Sequence, residues 1–370
     1  LKSLPARECQ FESGRGHQNM KTFKNIIYIA TAEKGVAGGV KIIYDHSERI
    51  NQLKIKNFSS QVLHLKKKKS SKWKSSLNKV LKIKNNYKYS GWKFEDLTVD
   101  RVYKANWFKN KIKVKKNLTF DRKKDFLIFP EIFAHLAKKI AINNKIPYAI
   151  FALNGYALNP TNDYKTLEES YNKAKFIMSV SRDITECLKV SFPKIEKKIL
   201  KVNLSVDKDK FNTKVKKQNM ITYMPRKMPQ HSETVMFFLR KHISKKWKIK
   251  KIHRLKEKEV FNYLLKSKIF LSFTQSEGLG MPPIEAAIAG NKVIGYTGEG
   301  GKEIWHKPIF TEIPHGNAKK FVEEILKSTK EKLPKKIFNK QRKKIISKFS
   351  VEQERLKIIK MLNLINKKTN

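Results

Sequence analysis

Cysteine is almost missing from this chain of 370 residues. Cys9 and Cys187 are its two, too few for a disulfide framework or a thiolate metal site. Long apolar runs are missing as well. None approaches the roughly 20 residues that a membrane-spanning helix needs. The start does not read as a secretory signal, with a charged opening, an apolar stretch and a small-residue cleavage site. A reduced, cytoplasmic protein is therefore expected, with Cys187 a small core residue. Acidic residues are scarce too: 32 Asp and Glu stand against 82 Lys and Arg, a formal charge of +50. Three readings account for that excess. It is a lysine bias spread over the whole chain, an attraction to an anionic membrane or substrate, or nucleic-acid binding. Arginine is the residue preferred for base edges and paired phosphate contacts. Lysine dominates here and no nucleic-acid module is recognisable, so no nucleic acid is expected.

What is present is enough apolar residue, 40%, for globular packing, and a length that usually means two domains. The most informative stretch is 269–303, IFLSFTQSEGLGMPPIEAAIAGNKVIGYTGEGGKE. Residues 269–274 are a short apolar run, the length of one buried strand. A polar loop with two glycines follows at 275–280. Pro282 and Pro283 suit the first turn of a helix, where a missing N–H costs nothing. Residues 284–289 continue that helix, Gly290 stops it, and 292–297 make a second strand. Such a strand–loop–helix–strand unit places its loop at the carboxyl end of a parallel strand and the amino end of a helix. There, free N–H groups favour an anion. Glu277 and Glu285 flank that position. A carboxylate beside a phosphate site suits sugar hydroxyls, whose O–H groups it accepts. A tight glycine turn with acids near a helix start accounts for the same residues without a ligand.

The segment SEGLGMPPIEA resembles the E-x7-E signature of the retaining GT-B glycosyltransferases of family 4, also called group 1. The following AGNKVIGYTGEGGKE is similar to that family's next segment. The resemblance implies an α/β fold of the GT-B type, two doubly wound Rossmann-like domains facing a cleft. It also implies sugar transfer from a nucleotide-sugar donor to a glycan, lipid-linked or small-molecule acceptor, a hexosyltransferase-type activity retaining anomeric configuration. No metal or other cofactor is expected, and no protein nucleophile is called for. By the same resemblance Glu277 holds donor-sugar hydroxyls and Glu285 the ribose. The backbone of Gly278, Leu279, Gly280 and Met281 meets the diphosphate, with Arg226 and Lys227 neutralising it. The family spaces that cationic pair by several residues, whereas here the two are adjacent and His231 holds the later position. Two other readings remain: a GT-B sugar-nucleotide epimerase or hydrolase, and a basic surface-binding protein on a transferase scaffold.

Taken in order, residues 1–19 differ in texture from the lysine-rich remainder and are read as a leader outside the fold. A first domain spans 20–207, with a hinge near 205–218. A second spans 208–334, and 335–370 are terminal helices returning to the first domain. Residues 25–31 form a strand, and the loop AEKGVAGG leads into a helix over 40–53. Gly38 and Gly39 let that helix start approach a phosphate, and in the family they face the donor. The stretch 66–93 alternates lysines with aromatic and apolar residues. It suits either a solvated helix with a core-facing stripe or an anionic membrane surface. Residues 125–130 are a buried strand, 131–143 a helix, and 146–153 a strand ending in Asn154, Gly155 and Tyr156. The resemblance puts Glu131, Asn154 and Tyr156 at the cleft edge on the acceptor side. Ser181 can cap a helix beginning at Arg182.

Overall fold

The computed structural model describes residues 24–32, 35, 37–68, 92–103, 105–106, 111–211, 215–331 and 334–369. The expected leader 1–19, Cys9, part of the loop before Gly38 and most of the 66–93 stretch lie outside those residues. Among the described residues no helix is long and apolar enough to cross a membrane.

The first domain is built on β1 (Lys24–Thr31), α1 (Gly38–Gln52), β2 (Phe58–Lys67), β3 (Leu97–Val99), β4 (Val114–Lys115), β5 (Asp125–Pro130), β6 (Tyr148–Ala152), α2 (Tyr164–Lys173), β7 (Ile177–Ser179), α3 (Arg182–Ser191) and β8 (Ile199–Lys201). Its sheet runs β3-β2-β1-β5-β6-β7-β8, with β4 also on β2. All pairings are parallel except β2 with β3. Every residue of β5 is buried, as a parallel strand covered on both faces requires. Ser181 caps α3, its hydroxyl accepting from the Ile184 N–H at 3.2 Å.

The expected helix over 131–143 is instead a 3-10 turn, Glu131–Leu136, followed by a π turn, Lys138–Ile142. Two side chains pin it away from regular pitch. The Glu131 carboxylate accepts from the Leu153 N–H, and His135 Nε2–H donates to the Trp92 carbonyl.

The second domain holds β9 (Met220–Tyr223), α4 (Pro229–Leu239), β10 (Lys248–Lys251), α5 (Glu257–Lys266), β11 (Ile269–Ser272), α6 (Met281–Ile288), β12 (Lys292–Gly295), β13 (Phe310–Glu312) and α7 (Ala318–Lys330). The sheet is β10-β9-β11-β12-β13, parallel throughout. The chain then forms α8 (Lys335–Lys348) and α9 (Val351–Thr369), broken at Phe349 and Ser350. Helix α9 packs on α1 and buries Ile358, Met361, Leu362 and Ile365. Its buried Glu354 accepts from Ser205 Oγ at 2.6 Å and Arg49 Nε at 3.3 Å. The last helix thus returns to the first domain.

Candidate active site

Each sheet has a place where successive crossovers leave in opposite directions. In the first it lies between β1 and β5, in the second between β9 and β11. Loops at the carboxyl ends of such strands diverge and leave a crevice. Here both crevices open into one cavity of about 880 Å³. From the first domain it is lined by Gly38, Gly39, Lys41, Glu131, Leu153 and Asn154, and from the second by Arg226, Lys227, Arg254, Glu277, residues 278–281 and Glu285. A cavity of that size suits a ligand of several hundred daltons.

Two helix starts meet at this cavity. Helix α1 begins after Ala37 and α6 after Gly280, and neither has a side-chain cap or an acid in its first turn. Such caps usually contribute about 1 kcal/mol, so two uncapped ends facing one cavity leave unanswered donors there. The N–H groups of Gly278, Leu279 and Gly280 donate to no described residue. Gly280 has a φ of 74°, a left-handed turn that only glycine adopts without strain. A Cβ at Gly38 would meet nothing within 4 Å, and one at Gly39 only Leu153 Cδ1, at 3.4 Å. These two glycines answer no packing demand of the chain itself. What they do is keep the cavity wall low.

Gly278 is different. A Cβ there would lie 1.9 Å from the Leu153 carbonyl oxygen of the other domain. Close by, Asn154 Nδ2 donates across the cleft to the Ser276 carbonyl at 3.0 Å, while Asn154 Oδ1 accepts from the Tyr156 N–H. Ser276 has a φ of 50°, uncommon for a side-chain-bearing residue. The first domain's 153–154 turn therefore clamps the loop that presents Glu277.

The charged groups fall into two sets. Lys227 Nζ stands 3.0 Å from the Glu277 carboxylate, joining the loops after β9 and β11. Arg226 is exposed, lines the cavity and pairs with no described carboxylate. Deeper in, Glu285 lies near Lys41, Asp45 and Glu257. Lys41 holds Asp45 at 2.7 Å and reaches Glu257 at 3.9 Å. Burial pushes the Glu285 carboxyl up to about 7, with Lys41 pulling it down and Glu257 raising it. Glu131 is also pushed up to about 7, by burial, despite accepting the Leu153 N–H at 2.9 Å.

The structure thus brings together all the residues expected at the site but one. Tyr156 is absent from the lining, and its hydroxyl donates to Asp183 at 3.1 Å. His231 also stays outside, 2.5 Å from the Tyr296 hydroxyl, so it does not replace a spaced cation. Cys187 is half-buried rather than in the core. It packs under Gly155, where a Cβ would come within 2.8 Å of its Sγ. Sequence reasoning missed Lys41 and the clamp by Leu153. It also missed Glu303, which accepts from the Arg182 N–H at 2.9 Å, Lys201 at 2.7 Å and Lys348 at 3.1 Å. Burial works against ionisation of Glu303, but these partners hold its carboxyl below the ordinary range. The helical spacing of Lys41 and Asp45 is visible in the sequence. Its target, Glu257, belongs to the other domain.

No protein-family model and no curated relative matches the sequence. Solved structures do match. HepE of Anabaena, crystallised with UDP, superposes with a TM-score of 0.64 at 9% identity, over 92% of this chain and 99% of that one. A glycosyltransferase of Rickettsia africae gives 0.59 at 18% identity, over 94% and 98%. The catalytic domain of starch synthase IV of Arabidopsis thaliana, bound to ADP and acarbose, gives 0.55 at 9%, over 94% and 100%. These likenesses establish the fold: GT-B, with two Rossmann-like domains and a cleft between them.

Proposed function

We propose that this protein transfers a sugar from a nucleotide-sugar donor to an acceptor hydroxyl, retaining the anomeric configuration. The observation that carries the reading is the convergence at the β9/β11 crevice of Arg226, Lys227, the undonated N–H groups at 278–280 and the Glu277 carboxylate. Cations and N–H groups suit a diphosphate, and a carboxylate beside them suits the hydroxyls of the sugar it carries. Complexes of structural neighbours with UDP and with UDP-glucose support that choice of ligand.

In this reading the donor diphosphate lies over the start of α6 with Arg226 against it. Glu277 accepts from sugar hydroxyls and Glu285 from the ribose. The acceptor, a glycan or lipid-linked hydroxyl, enters beside Glu131 and Asn154. As the anomeric C–O bond breaks, charge grows on the diphosphate oxygen and is met by donors already in place. The acceptor O–H proton passes to that oxygen, and the new C–O bond forms on the face the diphosphate leaves. No side chain becomes covalently attached. The closed cleft keeps water, a competing acceptor, away.

The test is a thermal-shift screen with UDP, GDP and ADP, followed by mass spectrometry of product with the matching sugar donor. Ligand that binds only the folded state raises Tm. No shift with any of the three would overturn the reading. Free sugar or an altered sugar nucleotide formed equally with and without acceptor would point to hydrolysis or epimerisation.

A further inference from the structure

The outer edge of the second domain carries an apolar patch that the cleft does not use. On α4, Phe237 is 56% exposed and Phe238 40%, and on β10 Ile249 is 38% exposed. These are three of the eight large apolar side chains exposed among the described residues. Phe237 and Phe238 are neighbours at the end of α4, and Ile249 is level with them on β10. Lys251 Nζ reaches Glu233 at 3.9 Å, which registers the end of β10 against the first half of α4. The helix runs antiparallel to the strand. One helical turn onward is Phe237, and two residues back along the same strand face is Ile249, so both move about 6 Å the same way. The Phe237 and Phe238 rings are 6.1 Å apart, and the Arg240 guanidinium sits 3.5 Å over the Phe237 ring.

Cations crowd α4, β10 and the turn between them: Arg240, Lys241, Lys245, Lys246, Lys248 and Lys251, against one acid within 229–251, Glu233. β10 is the free edge of its sheet. A second copy adding its own β10 there would set lysines against lysines, which is destabilising. The surface therefore favours an occupant that is apolar within and negative at its face. We infer that this edge, formed by α4 and β10, is where the protein docks on an anionic lipid bilayer. Phe237, Phe238 and Ile249 enter the interfacial region while the lysines meet headgroups. Both elements lead to the cavity, β10 through Ile252 to Arg254 and α4 from Arg226 and Lys227. The patch lies at the opposite end of each, Ile249 near the start of β10 and Phe237 and Phe238 near the end of α4, so a bilayer docked there leaves the cleft mouth uncovered. The inference does not depend on sugar transfer.

The test is co-sedimentation of the full chain, at low salt, with vesicles of phosphatidylcholine alone and of equal parts phosphatidylcholine and phosphatidylserine. Binding is expected to the mixed vesicles only, fading as salt rises. The double variant Phe237→Ser, Phe238→Ser is expected to lose about tenfold in partitioning. Ile337→Ser, another exposed apolar residue on the basic helix α8, is expected to bind as the parent does. Circular dichroism of each variant checks the fold. Three results would overturn the proposal: no binding to mixed vesicles, equal losses in the double variant and Ile337→Ser, or self-association of the parent that the double variant lacks. Equal losses would assign binding to charge spread over the whole surface, and self-association would assign the patch to a second copy.

Discussion

Lys227 Nζ lies 3.0 Å from the carboxylate of Glu277, so the cation proposed for the diphosphate is held by the acid proposed for the sugar. Each group occupies the other until a donor separates them. A diphosphate drawing Lys227 away leaves Glu277 free to accept from sugar hydroxyls. Glu277→Gln should therefore move two quantities in opposite directions. Affinity for the bare nucleoside diphosphate should rise about two- to fivefold, the scale of a partly exposed ion pair. Turnover should fall about a hundredfold, because contacts to the reacting sugar are lost. Calorimetry and initial rates on the same preparations check both.

Glu285→Ala should act mainly on binding. Losing a half-buried carboxyl acceptor for ribose hydroxyls should weaken nucleotide affinity about tenfold or more. Lys41, 2.7 Å from Asp45, would remain paired, so the fold should persist. Calorimetric titration with the nucleotide that stabilises the parent measures the loss. Unchanged affinity would remove Glu285 from the site.

Gly278→Ala tests closure. Its Cβ would fall 1.9 Å from the Leu153 oxygen, and backbone on both sides cannot yield cheaply. The domains should part at that rim, breaking the bond from Asn154 to the Ser276 carbonyl. A misplacement of about 1 Å can cost a hundredfold in rate, and a loss of that order in kcat/KM is expected. Far-UV circular dichroism should stay unchanged while small-angle scattering shows a larger radius of gyration.

Glu131 and Glu285 give stability a pH dependence of definite sign. Both carboxyls are raised to about 7 in the folded chain, above the ordinary 4.5 that an exposed carboxyl keeps. At these two groups the folded state therefore binds more protons than the unfolded state between those values. Their contribution to stability is fully present below the lower value and is lost as pH rises through the upper one. Each group contributes a slope of at most about 1.4 kcal/mol per pH unit. Buried His46 and His64, lowered by burial to about 4, act in the opposite sense over much of that window. The effect is therefore read as a difference in urea denaturation between the parent and Glu131→Gln, which can still accept the Leu153 N–H: the variant should lose the share of Glu131, and the gap between the two should narrow as pH rises toward 7.

Elements buried on both faces were the easiest to read. The run 125–130 is apolar throughout because both faces of β5 are covered, and its ends coincide with the strand. Pro282, Pro283 and Gly290 bracket α6 because each fits one end of a helix and resists its middle. The edge strand β10, mostly exposed, holds one apolar residue, Ile249, and so leaves no buried run to read. The stretch 131–143 departs from a helix through two side-chain anchors to residues far along the chain. The site was legible where one loop carries it, as with Glu277 to Glu285. It was not legible where it depends on the facing domain, as with Lys41 toward Glu257 or Gly278 under Leu153. Nothing near Tyr156 in the sequence marks Asp183 as its partner.

The chain passes between the domains twice, once after β8 and again at the break between α8 and α9. At the two passages Val206 N–H donates to the Phe349 carbonyl at 2.8 Å. A single tether would let the domains tumble like beads. Two tethers fastened to each other define an axis, as the pins of a door do. Opening is thereby biased toward rotation about that junction, which leaves the side opposite Val206 and Phe349 as the wider entrance to the cleft.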